Sequence, residues 1–288
     1  MCDEWTAHDD DAAAARGLNR REFAAAGMAA AIAGFVGTAA SATTALSESA
    51  VSIATPDGTA DAFFVHPASG RHPGIVLWPD IAGLRETYRL VARRLAAAGY
   101  AVLAVNQYYR NGAGPVLNSL SEWRTPEGQA KLQPRIAAIT HEGTTRDAAA
   151  FVRWLDAQAP VDTARRIGTQ GYCMGGPAAV RTAAAAPDRV GAAVSFHGAS
   201  LVTDRPDSPH RLIGSTKAAF LFAIGQNDDA RAPQEKDELR AAAQAAGRPA
   251  EVEVYRADHG WCTPDAPSFD AAEAERAWGR MMALYAAL

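Results

Sequence analysis

Short apolar runs alternate with longer stretches of helical periodicity through most of the chain. Residues 50–54 and 60–66 flank the turn sequence Pro56-Asp57-Gly58 and together predict an antiparallel hairpin. Six further runs have the length and residue types of strands, namely residues 74–78, 101–105, 166–170, 190–196, 218–224 and 251–255. Most of them are continuously apolar, which is typical of strands buried on both faces of a parallel sheet.

The stretches between these runs are predicted as helices. One helix has apolar residues at helical spacing followed by a glycine, given by Leu84, Tyr88, Val91, Leu95 and Gly99. Further helices are predicted from Thr144 onward, between Pro233 and Gly247, and over residues 271–287. Residues 108–140 contain several glycines and prolines, and they are predicted as an irregular excursion over one end of the sheet with one short helix.

These elements predict an α/β fold. Its centre would be a mostly parallel sheet of about eight strands, with an N-terminal antiparallel hairpin and helices on both faces. No internal repeat or linker divides the pattern, so residues 46–288 are predicted as a single domain. Ligands of such sheets bind at the C-terminal ends of the strands, and the residues that follow each strand are therefore the candidates for chemistry.

The first 45 residues have the features of an export signal. Arg20 and Arg21 precede the apolar, charge-free run 24–40, and Ala40-Ser41-Ala42 offers a cleavage site between small residues. Residues 1–45 are therefore predicted as a twin-arginine-type signal that is cleaved after Ala42 or Ala45, with a helix of the mature fold as the alternative. The prediction implies a periplasmic or secreted protein that meets the membrane only during export.

Composition narrows the possible functions. The chain has 288 residues, a net charge of −4 and a pI near 6.0, and it lacks the basic stripe of a nucleic-acid-binding protein. Two of its three cysteines, Cys173 and Cys262, lie outside the predicted signal, too few for a disulfide framework. They are either one bridge or one reactive thiol and one bystander. No His/Asp/Glu cluster has ligand-like spacing, so neither a metal nor a cofactor is predicted, and the oligomeric state is not indicated.

One glycine-rich segment carries the strongest chemical signal. In Gly171-Tyr172-Cys173-Met174-Gly175-Gly176, a cysteine has glycines two residues before and two residues after it, between a predicted strand and an Ala-rich helix. A sharp strand-to-helix turn that exposes a nucleophile needs small neighbours at these positions. The segment therefore predicts either a nucleophilic thiol at Cys173 or a small packed cysteine.

Two more residues complete a catalytic pattern. Asp228 and His259 each follow a predicted strand, so the chain order is nucleophile, acid and histidine, as in α/β-hydrolases. An imidazole can take the thiol proton, and a carboxylate can hold the imidazole in the required tautomer. Asp229 is an alternative to Asp228, since spacing alone does not separate adjacent carboxylates.

From residue 51 onward, the sequence resembles the dienelactone hydrolase (carboxymethylenebutenolidase) family of α/β-hydrolases. The resemblance rests on the cysteine segment above and on three others: Pro79-Asp80-Ile81-Ala82-Gly83, Gly225-Gln226-Asn227-Asp228 and His259-Gly260-Trp261-Cys262. It implies hydrolysis of a small-molecule ester or lactone through a thioester on Cys173, with His259 as base and Asp228 orienting it.

The loop after the first parallel strand is expected to complete the site. The backbone N–H groups of Ile81 and Met174 are the expected oxyanion donors, from their positions beside the nucleophile and after that strand. Asp80 matches the family's glutamate that contacts the thiol and helps to trigger its ionisation, although it is one methylene shorter. The other interpretation of Asp80 is a carboxylate that stabilises the turn.

The residues that would select a substrate are less clearly marked. Family members that act on dienelactone hold its carboxylate with arginines, and one of those positions is Thr263 here. The remaining candidates for substrate contact are Arg110, Arg124, His197 and Trp261. The sequence therefore favours a relative with altered specificity. Alternative functions are a thioesterase or acyl transferase on the same triad, or a non-catalytic exported binding protein.

Overall fold

The computed structural model describes residues 44–288, and an eight-stranded sheet forms the centre of this part. The strands are β1 (Leu46–Thr55), β2 (Gly58–Pro67), β3 (Gly74–Trp78), β4 (Ala101–Val105), β5 (Ile167–Tyr172), β6 (Val190–Phe196), β7 (Ala219–Gly225) and β8 (Ala250–Tyr255). Their order is β1-β2-β4-β3-β5-β6-β7-β8. The hairpin β1–β2 is antiparallel and joins β4 in antiparallel pairing, whereas β3 to β8 run parallel. The predicted hairpin and mostly parallel sheet are confirmed.

Helices cover both faces of the sheet. They are α1 (Glu86–Ala97), α2 (Pro126–Ala137), α3 (His141–Asp156), α4 (Gly175–Ala185), α5 (Pro209–Leu212), α6 (Gln226–Arg231), α7 (Glu235–Ala246) and α8 (Ala271–Tyr285). Apolar side chains of α3, α4 and α7 pack into the core on one face, and those of α1 and α8 pack into the core on the other. Burial of the sheet between two helical layers explains why its parallel strands are continuously apolar.

The segment between β4 and α3 is more regular than its composition predicts. It contains two short 3₁₀ turns, Tyr109–Asn111 and Leu120–Arg124, and the twelve-residue helix α2. Its apolar side chains, Leu120 among them, form a separate cluster with Ile81 and Met174. The segment therefore covers the C-terminal edge of the sheet, and we call it the cap (residues 108–140).

The start of α3 corrects one prediction. Thr140 is its N-cap and accepts a hydrogen bond from the Gly143 backbone, whereas Thr144 lies inside the first turn and donates back to the Thr140 carbonyl. A threonine hydroxyl satisfies either an exposed N–H at the start of a helix or a carbonyl one turn back, and the sequence spacing did not distinguish the two. The left-handed end of α7 at Gly247 lies where it was expected.

The predicted signal lies almost entirely outside the described residues and stays a prediction. Within residues 44–288, no helix has the length and apolar composition needed to cross a membrane.

The turn between β5 and α4 is crowded by backbone atoms. Cys173 has a positive φ of 52°, a region that residues other than glycine rarely adopt. A Cβ atom on Gly171 would overlap the carbonyl of Gly175, and one on Gly175 would lie 2.6 Å from the carbonyl oxygens of Trp78 and Pro79. The glycines are therefore required by close backbone contacts, and the turn holds Cys173 in a strained conformation.

Substitution at this turn should be far more damaging than the same substitution elsewhere. We expect Gly171→Ala to lower the free energy of unfolding by about 3 kcal/mol or more, because the added methyl group overlaps fixed backbone atoms. Gly279→Ala is the matched control, since it adds a methyl group in open space on α8 and should stabilise by roughly 0.5–1 kcal/mol. Urea unfolding of both variants measures the two values. Equal effects would contradict this account of the turn.

Candidate active site

All six parallel strands end at the same edge of the sheet, and each is followed by a residue of the candidate site. These residues are Asp80 after β3, Gln107 after β4, Cys173 after β5, His197 after β6, Asp228 after β7 and His259 after β8. Convergence of strand ends is how an α/β sheet brings side chains from distant parts of the sequence together.

Cys173 and His259 line the same small cavity. It has a volume of about 10 Å³, and its other walls include Ile81, Leu120 and His197. The Cys173 backbone is fixed from both sides, because its N–H donates to the Phe196 carbonyl and its own carbonyl accepts from Gly176. The thiol is thus enclosed between the end of the sheet and the cap.

The structure pairs His259 with Asp228. The Nδ1 atom of His259 lies 3.0 and 2.9 Å from the two carboxylate oxygens of Asp228. Asp229 instead accepts a 2.6 Å hydrogen bond from Lys236, on the N-terminal part of α7. The side-chain oxygen of Asn227 accepts from the backbone N–H of both Asp228 and His259, which ties the two loops together. Of the two adjacent carboxylates, Asp228 is therefore the one that contacts the histidine.

Burial and neighbouring charges shift the pKa values of Asp228 and His197. Burial opposes ionisation of Asp228, but the neighbouring His259 outweighs it, and the pKa of the carboxyl lies below its usual value. His197 packs edge-on against His259 with 4.6 Å between ring centroids. Burial, reinforced by the proximity of His259, lowers the pKa of His197 well below its usual value. His197 is therefore a neutral wall of the small cavity.

Asp80 belongs to a buried ion-pair network. It lines the small cavity with Cys173, but Arg85 donates to both of its carboxylate oxygens, over 2.7 and 3.0 Å. Arg85 also donates two hydrogen bonds of 2.7 Å to Asp265. We therefore interpret Asp80 as a carboxylate that is held in place, and its expected role in ionising the thiol stays a prediction.

Gln107, which the sequence analysis did not single out, orients the backbone next to Ile81. Its Nε2 donates a 2.8 Å hydrogen bond to the carbonyl oxygen of Asp80. That carbonyl belongs to the same planar peptide unit as the N–H of Ile81, and in a trans peptide the two groups point in opposite directions. Tyr108 fixes the next unit by donating to the Ile81 carbonyl over 2.7 Å. Gln107 lies two residues after the end of β4, and this position could have marked it as a candidate from the sequence.

The four substrate candidates lie in different places. His197 lines the small cavity, whereas Arg110 lines a larger cavity beside it and is bound to Asp147 and Asp57. Arg124 ends a 3₁₀ turn of the cap and lines neither of these two cavities. Trp261 is fully buried, stacks on Tyr255 and makes a T-shaped contact with His197. A side chain in that position packs behind the site, so Trp261 supports His197 and is not placed to contact a substrate.

The two thiols of the described chain are not joined by a disulfide. Cys262 lines another cavity, between α1 and α8, together with Tyr172 and Trp278, and Cys173 is not part of its wall. Burial raises the pKa of Cys262 well above its usual value, so its thiol stays protonated and weakly nucleophilic. These positions favour the interpretation of Cys262 as a bystander.

Comparison with solved structures identifies the class of fold. The chain superposes with a TM-score of 0.72 and 26% identity on a crystal structure described as "Putative Dienelactone Hydrolase" from Klebsiella pneumoniae, covering 85% of this chain and all of that one. It also superposes, at 16% identity and a TM-score of 0.60, on an acylaminoacyl peptidase from Pyrococcus horikoshii, over 84% of this chain and 42% of the peptidase. The fold is that of the α/β-hydrolases.

The family follows from the sequence match. Residues 60–288 match the model of the dienelactone hydrolase family, and the chain belongs to that family. A relative from Methylorubrum extorquens, described as "Putative carboxymethylenebutenolidase", is 30% identical over 237 residues, which cover 80% of this chain and 78% of the relative. The class of reaction is therefore hydrolysis of esters or lactones.

A partly buried carboxyl near the site should make stability depend on pH. Burial raises the pKa of Glu235, the first residue of α7, to about 7, and the charge of Asp228 acts in the same direction. The folded protein retains this proton up to about pH 7, whereas the unfolded chain loses it near the usual pKa of 4.5. The Glu235 carboxyl therefore contributes its full stabilisation below pH 4.5. This stabilisation is lost as the pH rises through 7, which lowers the free energy of unfolding by on the order of 1–3 kcal/mol.

Glu235→Gln removes this titration. We expect urea unfolding at pH 5 and pH 8 to show a smaller loss of stability with rising pH in this variant than in the wild type. Glu127→Gln, at an exposed position on α2, is the control and should keep the wild-type pH dependence. If Glu235→Gln loses as much stability between pH 5 and pH 8 as the wild type does, the pKa of the Glu235 carboxyl is not raised in the folded protein.

Proposed function

We propose that this protein hydrolyses a carboxylic ester or lactone through a thioester on Cys173, with His259 as general base and Asp228 orienting the imidazole. The observation that carries the proposal is the contact of His259 with Asp228 on the wall of the cavity that also holds Cys173. The strained backbone at Cys173 adds support, because such conformations cluster at functional sites.

The first half of the reaction transfers the acyl group to sulfur. The hydrogen bond of Nδ1 with Asp228 makes Nε2 the basic nitrogen of His259. Nε2 takes the proton of the thiol, and the thiolate attacks the carbonyl carbon of the ester. The resulting tetrahedral intermediate collapses when the bond to the alcohol oxygen breaks, and His259 returns its proton to that oxygen. A lactone opens in the same step and keeps its alcohol on the acyl group.

The second half regenerates the thiol. His259 removes a proton from water, and the water oxygen attacks the thioester carbon. The carbon–sulfur bond then breaks to release the acid, and His259 returns its proton to the sulfur. In both halves the carbonyl oxygen becomes negative, and the N–H groups of Ile81 and Met174 are the proposed donors to it. Met174 directly precedes α4, so the partial positive charge at that helix end adds to the stabilisation.

The proposed triad can be tested by comparing two adjacent carboxylates. Cys173→Ala should reduce hydrolysis of p-nitrophenyl acetate to background, and Asp228→Asn should lower kcat by roughly 10³- to 10⁴-fold, because the imidazole loses its orienting partner. Asp229→Asn is the matched control and should retain kcat within about twofold, since Asp229 contacts Lys236 instead. Turnover that survives Cys173→Ala, or equal losses in both Asp variants, would contradict the mechanism.

Gln107 should act on the rate through the Ile81 N–H. Gln107→Leu removes the hydrogen bond to the Asp80 carbonyl, and we expect kcat for p-nitrophenyl acetate to fall by about tenfold with little change in KM. This is less than the roughly 10²- to 10³-fold cost of deleting an oxyanion donor itself. Alkylation of Cys173 by iodoacetamide needs the thiolate but no oxyanion donor, so its rate should stay at the wild-type value. If the alkylation rate falls together with kcat, Gln107 stabilises the site as a whole and does not act through the Ile81 N–H.

A further inference from the structure

The space beside Cys173 is too small for a long acyl chain, but a larger cavity lies next to it. The larger cavity measures about 210 Å³, against about 10 Å³ at the thiol. It opens between the cap, α3 and the start of α4, and we call it the lateral cavity. We propose that the lateral cavity binds the acyl part of the substrate and selects an uncharged, largely apolar acyl group. This inference rests on the proposed function and adds the substrate class to it.

The position of the lateral cavity follows from the two residues after the nucleophile. Met174 and Gly175 form part of its wall. The Met174 side chain also packs in the apolar cluster that contains Ile81 and Leu120, which line the small cavity. Met174 therefore separates the two cavities. An acyl chain that projects past this side chain would enter the lateral cavity, and a flexible thioether can move aside at low cost.

The walls of the lateral cavity offer apolar contacts. Ile136 and Ile139 come from the cap, Trp78 from the end of β3, and Ala178 from the first turn of α4. Burial of methylene groups against such walls is favourable because it removes apolar surface from water. The cavity is therefore suited to an aliphatic or cyclic acyl group.

Each basic side chain in the wall already lies within 4 Å of a carboxylate of the protein. Arg110 donates to both oxygens of Asp147 at 2.8 and 2.9 Å and to Asp57 at 2.5 Å. His141 contacts the Asp207 carboxylate at 2.7 Å. Arg181 donates a 2.8 Å hydrogen bond to the backbone carbonyl of Asp207 and lies 3.7 Å from the carboxylate of the same residue. A substrate carboxylate would lose its water without gaining an unpaired cation, which is a costly exchange. The chemistry of the wall thus favours an uncharged acyl group.

Two esters of equal length test the charge preference. p-Nitrophenyl hexanoate and mono-p-nitrophenyl adipate differ only in the end of the acyl chain, which is a methyl group in one and a carboxylate in the other. We expect the wild-type kcat/KM to be at least tenfold higher for the hexanoate. Asp147→Asn leaves Arg110 paired with Asp57 but without its partner in the wall, and should raise the adipate-to-hexanoate ratio by about fivefold. A wild-type preference for the adipate would overturn the inference.

A second pair of variants tests where the acyl chain binds. Thr144→Phe adds a ring to the half-buried wall of the lateral cavity, and it should lower kcat/KM for the hexanoate by about tenfold while leaving the acetate within about twofold. Ala274→Phe places the same ring in the cavity beside Cys262 and should leave both esters unchanged. Ile139→Ala enlarges the lateral cavity and should shift the preference toward longer chains, which gives a second readout if Thr144→Phe does not fold.

The outcomes separate the inference from the proposed function. If the folded wild type hydrolyses none of the three esters, the proposed function fails. If hydrolysis of the acetate depends on Cys173 but the ratio of hexanoate to acetate does not respond to Thr144→Phe or Ile139→Ala, only the lateral-cavity inference fails.

Discussion

The arrangement of the site depends on a single buried cation, the guanidinium of Arg85. It donates to Asp80, to Asp265 and to the Gly83 carbonyl, so most of its donors have fixed acceptors. Asp265 also accepts from the backbone of Leu120 in the cap. One ion-pair network therefore connects the loop after β3, the loop after β8 and the cap. Breaking a buried pair by removing one partner typically costs about 3–5 kcal/mol, which makes such a connection rigid.

Rigidity at this place matters because the chemistry is electrostatic. Stabilisation of an oxyanion depends on N–H groups that are oriented before the reaction begins. The Asp80 carboxylate, fixed by Arg85, and the Asp80 carbonyl, bound by Gln107, both restrain the loop that presents the Ile81 N–H. On the other side, the crowded glycine turn fixes Cys173. The two restraints come from strands that are neighbours in the sheet.

The cap adds selectivity to this common scaffold. It encloses the thiol in a small cavity and provides part of the wall of the lateral cavity. Basic side chains are present in that wall, yet each of them faces a carboxylate of the protein. The presence of an arginine near a site therefore says little about substrate charge until its partners are known.

The sequence by itself determined the order of strands and helices, the family, and the glycines that the turn at Cys173 requires, because these depend on local periodicity and on short-range sterics. It predicted the hairpin and the parallel strands closely. It did not separate Asp228 from Asp229, identify Gln107, or show that Arg110 and Asp80 are already paired. Only the tertiary structure decided these points, since each depends on which side chains from distant segments meet at the strand ends.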